Sequence, residues 1–599
     1  MTIAHLDHQA AGPVSASVLV HSTGVGRSAP TDLPDGTPVV IDLGVGHLVC
    51  SAASDPDTAC PECVRLRWIR SRPTPEREAL LAGSTPLGTG RGTDPWADSM
   101  LAAAVLACPP PGTVLHVAPS SLVVTTHSVA ASSDCPAPHH RNGRGPTRRE
   151  EITAVATVGR SVPLAELDLP EDELVGDCVG TLSRHLRETW FNPVAVAANG
   201  TLRERSIFSS HTLTFGMNGY GSSRAASRRL SLLEGLERHS GLRKRHDGVV
   251  RVDRFRDIAD IALDPAVFGV YPPEHFDEER NRLGHVPWSE ELLIPWVPAL
   301  EPTTGRTVWV PQQMAYYLAR TGAVQFVQDN SNGCAVGATL AEAFLGGVLE
   351  VVERDAFLVH WYARRSMPRI SDDELSPRTR VMRARLDAAG FDLHLFDSRV
   401  DLRFPTVIAI ATRRNGGPGS FAIGAGAALD PDAAVQTAVR EAACNAPLMA
   451  AVYKSDPQGA HALWDRPESL ELLEQHSLMY SVPGAASHLD FWLDADQDPR
   501  PASEVFADWL DSESLSLRDA EGDVGALLTE LGRLGLSPLV VDQTSEELER
   551  LNLRACRSFV PGLLPLDFGR SNERALSLTR SHLLLDESAP VNPLPHPFS

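Results

Sequence analysis

Lysine is nearly missing from this chain. Of its 54 basic residues only Lys244 and Lys454 are not arginine. Positive charge as a whole is short, with 76 acidic residues against those 54 and a formal net charge of −22. That balance excludes a protein that grips nucleic acid through its phosphates. Long apolar runs are missing as well: the longest, Met100 to Cys108, is far short of the ~20 residues a membrane span needs. Cysteine is sparse and odd in number, nine in 599 residues. This excludes a disulfide framework and fits a reducing, cytoplasmic setting. The opening MTIAHLDHQAAG has neither the basic nor the apolar region of a secretory signal. No GxxxxGK[ST] occurs, which excludes a P-loop, and the protein-kinase signature set is absent too.

What is present is an ordinary globular composition, 43% hydrophobic and 22% charged. The length is about four times a typical ~150-residue domain, so two or three domains are expected. Up to about residue 138, short apolar runs (Pro38 to Leu43, Thr113 to Val117, Leu122 to Thr126) alternate with Pro, Gly and Ser. This predicts a small α/β unit with one helix, Ala97 to Ala107. The polar, broken stretch from His139 to Glu151 opens a linker that runs to residue 169. From residue 170 on, helical patterns (Ser222 to Arg243, Thr339 to Ala363, Asp430 to Leu448) alternate with β-like runs such as Leu393 to Phe396, Thr406 to Ala411 and Leu539 to Val541. The whole reads as α+β, with a large domain of sheets packed with helices.

Two of those helices carry glutamates three apart, Glu234 and Glu237 in SLLEGLER and Glu350 and Glu353 in EVVERDA. Residues at that spacing project from one helix face. Glu342 lies eleven positions before Glu353 and only about 20° from it around the helix. Gly346 and Gly347 separate the acids, where helix glycines cost ~1 kcal/mol each and suit a close approach to the backbone. Five glutamates on otherwise apolar helices repel one another unless cations neutralise them, and hard oxygen ligands suit Mg²⁺. A Gly/Asn/Ser loop precedes each helix, NGYGSS at 218–223 and NSNG at 330–333; such loops can offer N–H groups and hydroxyls to a phosphate.

Taken in order, these segments resemble the YcaO superfamily of ATP-dependent enzymes that activate backbone amides. The resemblance runs through GYGSS, SLLEGLER, SNGCAVGATLAEAFLGGVLEVVERDA, FDSRVDLRFPTVIAIA, GAGAALDPDAAVQTAVREA, VVDQT and FVPGLLPLDFG. It implies that Glu234, Glu237, Glu342, Glu350 and Glu353 hold Mg²⁺ against ATP phosphates. Ser331, Asn332 and Arg354 would contact nucleotide or phosphate. Glu441 would line the same pocket, a surface position being the alternative. Tyr220 stands where the family often has lysine. The chain ends in Pro-x-Pro-x-Pro, Pro593 to Pro597, as azoline-forming cyclodehydratases of the family do, whereas a disordered end is the default for any terminus. If functional, this stiff segment would bring His596 or the carboxylate of Ser599 to the reacting peptide as a base.

Cys60-Pro-Glu-Cys63 has zinc-knuckle spacing, with Cys135 and His139 as completing ligands and Cys50 as a replacement. This is similar to the E1-like partner proteins of the same pathways. A zinc there would stabilise the N-terminal unit without touching ATP chemistry. The implied activity is cyclodehydration of Cys, Ser or Thr in a ribosomally made precursor peptide to thiazolines or oxazolines, as in thiopeptide and other antibiotic pathways. The implied partners are that peptide, a separate E1-like leader-binding protein, a downstream flavin-dependent azoline dehydrogenase, and a second copy of the chain in a homodimer. Thioamide or macroamidine formation, and a non-catalytic leader-recruiting scaffold, are the alternatives. A dimetal hydrolase would want histidines near the acids, where only His239 and His360 lie close in sequence.

Overall fold

The computed structural model describes residues 21–44, 46–72, 95–133, 135–140, 147–153, 159–176, 178–182, 186–189, 196–205, 212–221, 223–242, 250–277, 281, 284–317, 324–494, 498–569, 572–584 and 591–598. The fold is a mixed α+β one. In the N-terminal part, β1 (His21–Gly24), β2 (Pro38–Asp42), β3 (His47–Ser51), β4 (Thr113–Ala118) and β5 (Val123–Ser128) form one sheet in sequence order. Only the β1–β2 pair is parallel. Helix α1 (Pro61–Arg70) and helix α2 (Pro95–Ala107) pack against this sheet.

The sequence announces α2 by its apolar run but hides α1, because two of α1's buried positions are arginines. Each is buried by pairing. Arg65 bonds Glu62 at 2.6 and 2.8 Å, and Arg67 donates to the carbonyls of Ala130 and Ala131 at 3.1 and 2.9 Å. A buried guanidinium satisfied in this way reads as surface in any hydrophobicity pattern. The stretch expected as a linker is also partly structured. His140 is buried in a 3₁₀ turn, Pro138–His140. Ile152, in the turn Glu150–Thr153, sits in a core cluster of the large unit.

Beyond it, β6 (Arg187–Thr189), β7 (Val196–Arg205) and β8 (Thr212–Gly221) make an antiparallel sheet that helix α3 (Arg224–Leu242) covers. The packing is close because Gly219 and Gly221 face the helix; a Cβ on Gly219 would strike the Ser227 carbonyl. A second sheet joins β9 (Arg251–Asp253), β10 (Ile294–Glu301), β11 (Arg306–Pro311), β12 (Cys334–Gly337), β17 (Leu539–Asp542) and β18 (Arg554–Phe559). Against β12 and β18 lies α4 (Leu340–Tyr362), capped by the Thr339 hydroxyl, which accepts from the Glu342 N–H.

A third sheet runs in the order β13 (Arg369–Ile370), β14 (Phe391–Asp397), β15 (Thr406–Arg413), β16 (Phe421–Ala427), with α5 (Pro377–Ala388) and α6 (Pro431–Ser455) packed against it. Helix α7 (Arg518–Arg533) and the short α8 (Glu546–Arg550) lie on either side of β17 in the chain. Among the described residues no helix is long and apolar enough to cross a membrane.

Candidate active site

The acids of α3, α4 and α6 converge where the edge of β16 meets β8 and the 329–333 loop. Four are fixed in the same way, each with one carboxylate oxygen on a backbone N–H. Glu234 accepts from Asn218 of β8, and Glu350 from Gly333 at 3.0 Å. Glu353 accepts from Ala427 and Glu441 from Ala425, both at 3.2 Å. Among the described residues β16 is an edge strand, and the outward N–H groups of Ala425 and Ala427 go to glutamates instead of a ladder. The alternate residues, Gly424 and Gly426, lack a Cβ that would run into α6 backbone. The repeat Gly-Ala-Gly-Ala thus sets α6 on the sheet and orients two acids.

Charge is only partly compensated. Arg354 lies 3.1 Å from Glu353 and 3.7 Å from Glu350, and Arg238 bonds Glu234 at 2.6 Å. Among the described residues Glu237 accepts no hydrogen bond. Burial, with Glu350 and Glu234 adding repulsion that Arg238 only partly offsets, pushes Glu237 well above the carboxylate range. Burial raises Glu350 too, against Arg354 and the Gly333 N–H, with Glu441 adding to the rise. Burial together with Glu441 and Glu350 pushes Glu353 up to about 8 despite Arg354. Burial, and to a smaller degree Cys444, Glu234 and Glu441, raise Tyr220 to about 12, so a neutral phenol stands where the resemblance leads one to look for lysine.

Oxygen donors held by backbone amides and short of positive charge fit a hard divalent cation that also binds phosphate. Stability should report this repulsion. An acid whose pKa rises on folding favours the folded state fully below its unfolded value, and that contribution is lost as pH rises through the folded value. For Glu353 the window runs from about 4.5 to about 8. The metal-free protein should therefore lose thermal stability across this window, and Mg²⁺ with a non-hydrolysable ATP analogue should flatten the slope. Identical melting-temperature profiles with and without the additive would contradict a cation site among these acids.

Other expected residues are placed differently. Glu342 accepts from the N–H groups of Ala338 (3.2 Å) and Ser161 (3.3 Å) and faces Arg160 at 3.7 Å. It shares the face of Glu353, but eight residues of helix, ~12 Å, separate it from Glu350. It is not among the groups that perturb Glu350 or Glu353 most. Glu441, held by the Ala425 N–H, is close enough to Glu350 and Glu353 to raise both. One atom of the Asn332 carboxamide is buried without a hydrogen-bond partner, and the neighbouring Ser331 is partly exposed. The loop carrying both is pinned by Arg557, which bonds Asp329 at 3.1 Å. Gly347 is approached by the chain itself, the Gly333 carbonyl and the Ser558 hydroxyl, whereas Gly346 meets only Ala335 in ordinary contact.

The Pro-rich tail is an integral part of the core. A polyproline segment makes no internal hydrogen bonds, and successive carbonyls here find donors on the domain. Leu594 accepts from Trp361 Nε1 (3.0 Å), Pro595 from the Tyr480 hydroxyl, and His596 from His476 Nδ1 (2.6 Å). Phe598 is buried under the Arg354 guanidinium, 3.8 Å from the ring centroid.

The reading of His596 as a base does not survive this packing. The residue is 0% exposed, its Nε2–H donates to the Asp567 carbonyl at 2.8 Å, and its ring stacks on His476 at 4.5 Å. Burial and His476 hold its imidazole well below the ordinary range. It anchors the tail to the domain. Ser599 lies outside the described residues.

In the N-terminal part the ligand atoms of Cys60, Cys63, Cys135 and His140 lie within 4.8 Å of one another, all four residues buried. The fourth member is His140 and not the expected His139. In the turn Pro138–His140 it is His140 Nε2 that faces Cys63 Sγ at 3.3 Å, while Nδ1–H donates to the Pro56 carbonyl at 2.8 Å. That second bond fixes the tautomer that leaves Nε2 free to ligate. The Cys60–Cys63 and Cys60–Cys135 sulfur separations, 3.8 and 3.6 Å, match the ~3.8 Å edge of a tetrahedron with ~2.3 Å Zn–S bonds.

Cys50 stands outside the set, its thiol directed at the Val39 carbonyl. Cys63→Ser should lower bound zinc from about one per chain to near zero and melt the N-terminal unit early. Metal analysis of protein purified without chelator checks this, and wild type without zinc would refute it.

A family model described as YcaO cyclodehydratase, ATP- and Mg²⁺-binding, matches residues 218–564. An uncharacterized protein of Methanothermobacter thermautotrophicus is 26% identical over 357 residues, 58% of this chain and 80% of the relative. Among solved structures, a heterocyclase in complex with substrate and cofactor superposes with a TM-score of 0.71 at 21% identity, over 94% of this chain and 77% of its own. The heterocyclase TruD gives 0.61 at 20% identity, over 94% and 76%. At these identities the likeness is one of fold.

Proposed function

Because the chain belongs to the YcaO cyclodehydratase family, we propose that it converts Cys, Ser or Thr residues of a ribosomally made peptide to azolines at the expense of ATP. The side-chain thiol or hydroxyl adds to the preceding carbonyl, the resulting oxygen takes the γ-phosphoryl group, and phosphate leaves with that oxygen. The products are one ring, ADP and phosphate. The observation that carries this reading is that Glu234, Glu237, Glu350, Glu353 and Glu441, four of them fixed by backbone amides, lie within electrostatic reach of one another with too few cations to neutralise them.

These carboxylates would hold Mg²⁺, which when bound neutralises phosphate charge. The backbone amides of Asn218, Gly333, Ala425 and Ala427 preorganise the acids, so little rearrangement is needed on loading. Arg354 keeps Glu350 and Glu353 together, and Phe598 shields that guanidinium from water. The Asn332 carboxamide, whose Oδ1 is buried without a partner, would supply a polar contact to the nucleotide.

A separate leader-binding protein and a flavin-dependent dehydrogenase would act beside this enzyme. The test is mass spectrometry of a Cys- or Ser-rich peptide encoded near the gene, incubated with protein, ATP and Mg²⁺. Azoline formation removes about 18 Da per ring with matching ADP release, thioamide formation adds about 16 Da, and an unchanged peptide without ATP turnover would leave a scaffold.

A further inference from the structure

Glu547, on α8, is buried with its side chain 1% exposed, and the polar groups around it come from far off in the sequence. One oxygen, Oε1, accepts from Arg67 Nη2 at 3.2 Å and from the Ser133 N–H and hydroxyl at 3.1 and 3.3 Å. The same oxygen faces His239 Nε2 at 3.6 Å. Arg67 and Ser133 belong to the thiol unit. Arg67 lies on α1, the helix that Cys60 precedes as N-cap, and it also holds the carbonyls of Ala130 and Ala131. Next along that loop, the Ser132 N–H points at Cys63 Sγ at 3.4 Å, ahead of Cys135.

His239 belongs to the other side, on α3, two residues beyond Glu237. At ~100° per residue it projects ~200° from that acid, from the opposite face of the helix. Glu234 and Glu237 therefore lie on the face of α3 turned to the other acids, while on its back His239 stands within ion-pair reach of Glu547. A lone buried carboxylate would be strongly unfavourable; here Arg67 and Ser133 from one unit and His239 from the other meet at its Oε1.

We propose that Glu547 is a positioning residue for the Mg–ATP site, tying the Cys60–Cys63–Cys135–His140 unit to the helix that carries Glu234 and Glu237. The inference rests on reading those two acids as Mg–ATP ligands. It departs from the expectation that the zinc-knuckle region leaves ATP chemistry untouched. Affinity for Mg–nucleotide, rather than fold alone, then depends on the seam.

The experiment measures binding of Mg²⁺ with a non-hydrolysable ATP analogue to the full chain by calorimetry. Glu547→Gln should raise Kd about tenfold, and His239→Leu should do the same while zinc content stays at wild-type level. His239→Gln keeps a donor at similar reach and should bind within about twofold of wild type, a rescue that loss of packing would not give. If Glu547→Gln fails to fold, the His239 pair carries the test, because it leaves the Arg67 and Ser133 bonds in place. Equal Kd values for His239→Leu and wild type, or an equal loss in His239→Leu and His239→Gln, would overturn the proposal. Glu237→Gln is run alongside: undiminished binding there would overturn the metal reading itself, and the positioning role with it.

Discussion

Glu353→Gln should abolish ring formation while making the metal-free protein more stable. The amide keeps an oxygen for the Ala427 N–H, so the local fold has no reason to change. It removes one charge from a set of acids whose mutual repulsion and burial already push Glu353 up to about 8. Less repulsion means a higher melting temperature without Mg²⁺, and the gain should grow as pH rises through that value. Without the charge, phosphate neutralisation fails, and turnover should fall about a hundredfold or more, ~2.7 kcal/mol of barrier. Peptide mass and thermal unfolding on the same preparation give both readouts. Turnover within about threefold of wild type, under ~1 kcal/mol, would remove Glu353 from the metal site.

Removing Pro595 to Ser599 should have an effect of similar size by another route. The deletion takes away the Phe598 ring beneath Arg354 and the carbonyls that satisfy Tyr480 and His476. Reading the tail as a free arm would leave ATP affinity unchanged. Its packing against Arg354, which braces Glu350 and Glu353, predicts the contrary: nucleotide affinity and cyclisation should both drop, with a lower melting temperature. Phe598→Ala, costing about 3 kcal/mol of core packing, should reproduce the affinity loss in part. A truncate that binds Mg–ATP analogue as wild type does would show that the tail and the acid pocket are independent.

The sequence revealed the acids better than their geometry. Spacing of three places two glutamates on one helix face whatever the tertiary structure, so Glu234 with Glu237 and Glu350 with Glu353 were legible. Helical phase alone also favours Glu342, because an angle around an axis carries no information about distance along it. The donors that fix the acids, the N–H groups of Ala425 and Ala427, have no residue signature. Only the alternating glycines hint that something must lie close. His140 in place of His139 turns on one residue of rotation in a 3₁₀ turn, beyond what a ligand spacing can decide. The arginines of α1 and the partners of Glu547 share a reason for being hidden: a buried charge is identified by what pairs with it, and a pairing such as Arg67 with Glu547 joins residues hundreds of positions apart.

Strand β16 has one further consequence. An exposed sheet edge is an open template on which another extended chain can add as a strand. At Ala425 and Ala427 that template is already taken, since both outward amides are committed to glutamates. A peptide entering the pocket cannot register itself by continuing this sheet, and two copies of the protein cannot join edge to edge there. On the proposed reading a substrate peptide would be held through its side chains and by other walls of the site rather than by main-chain pairing, so cyclisation should depend on the side chains flanking the reacting residue. The blocked edge also guards the metal-free protein against association when its acids are protonated, because a neutral glutamate still accepts the same amide hydrogen.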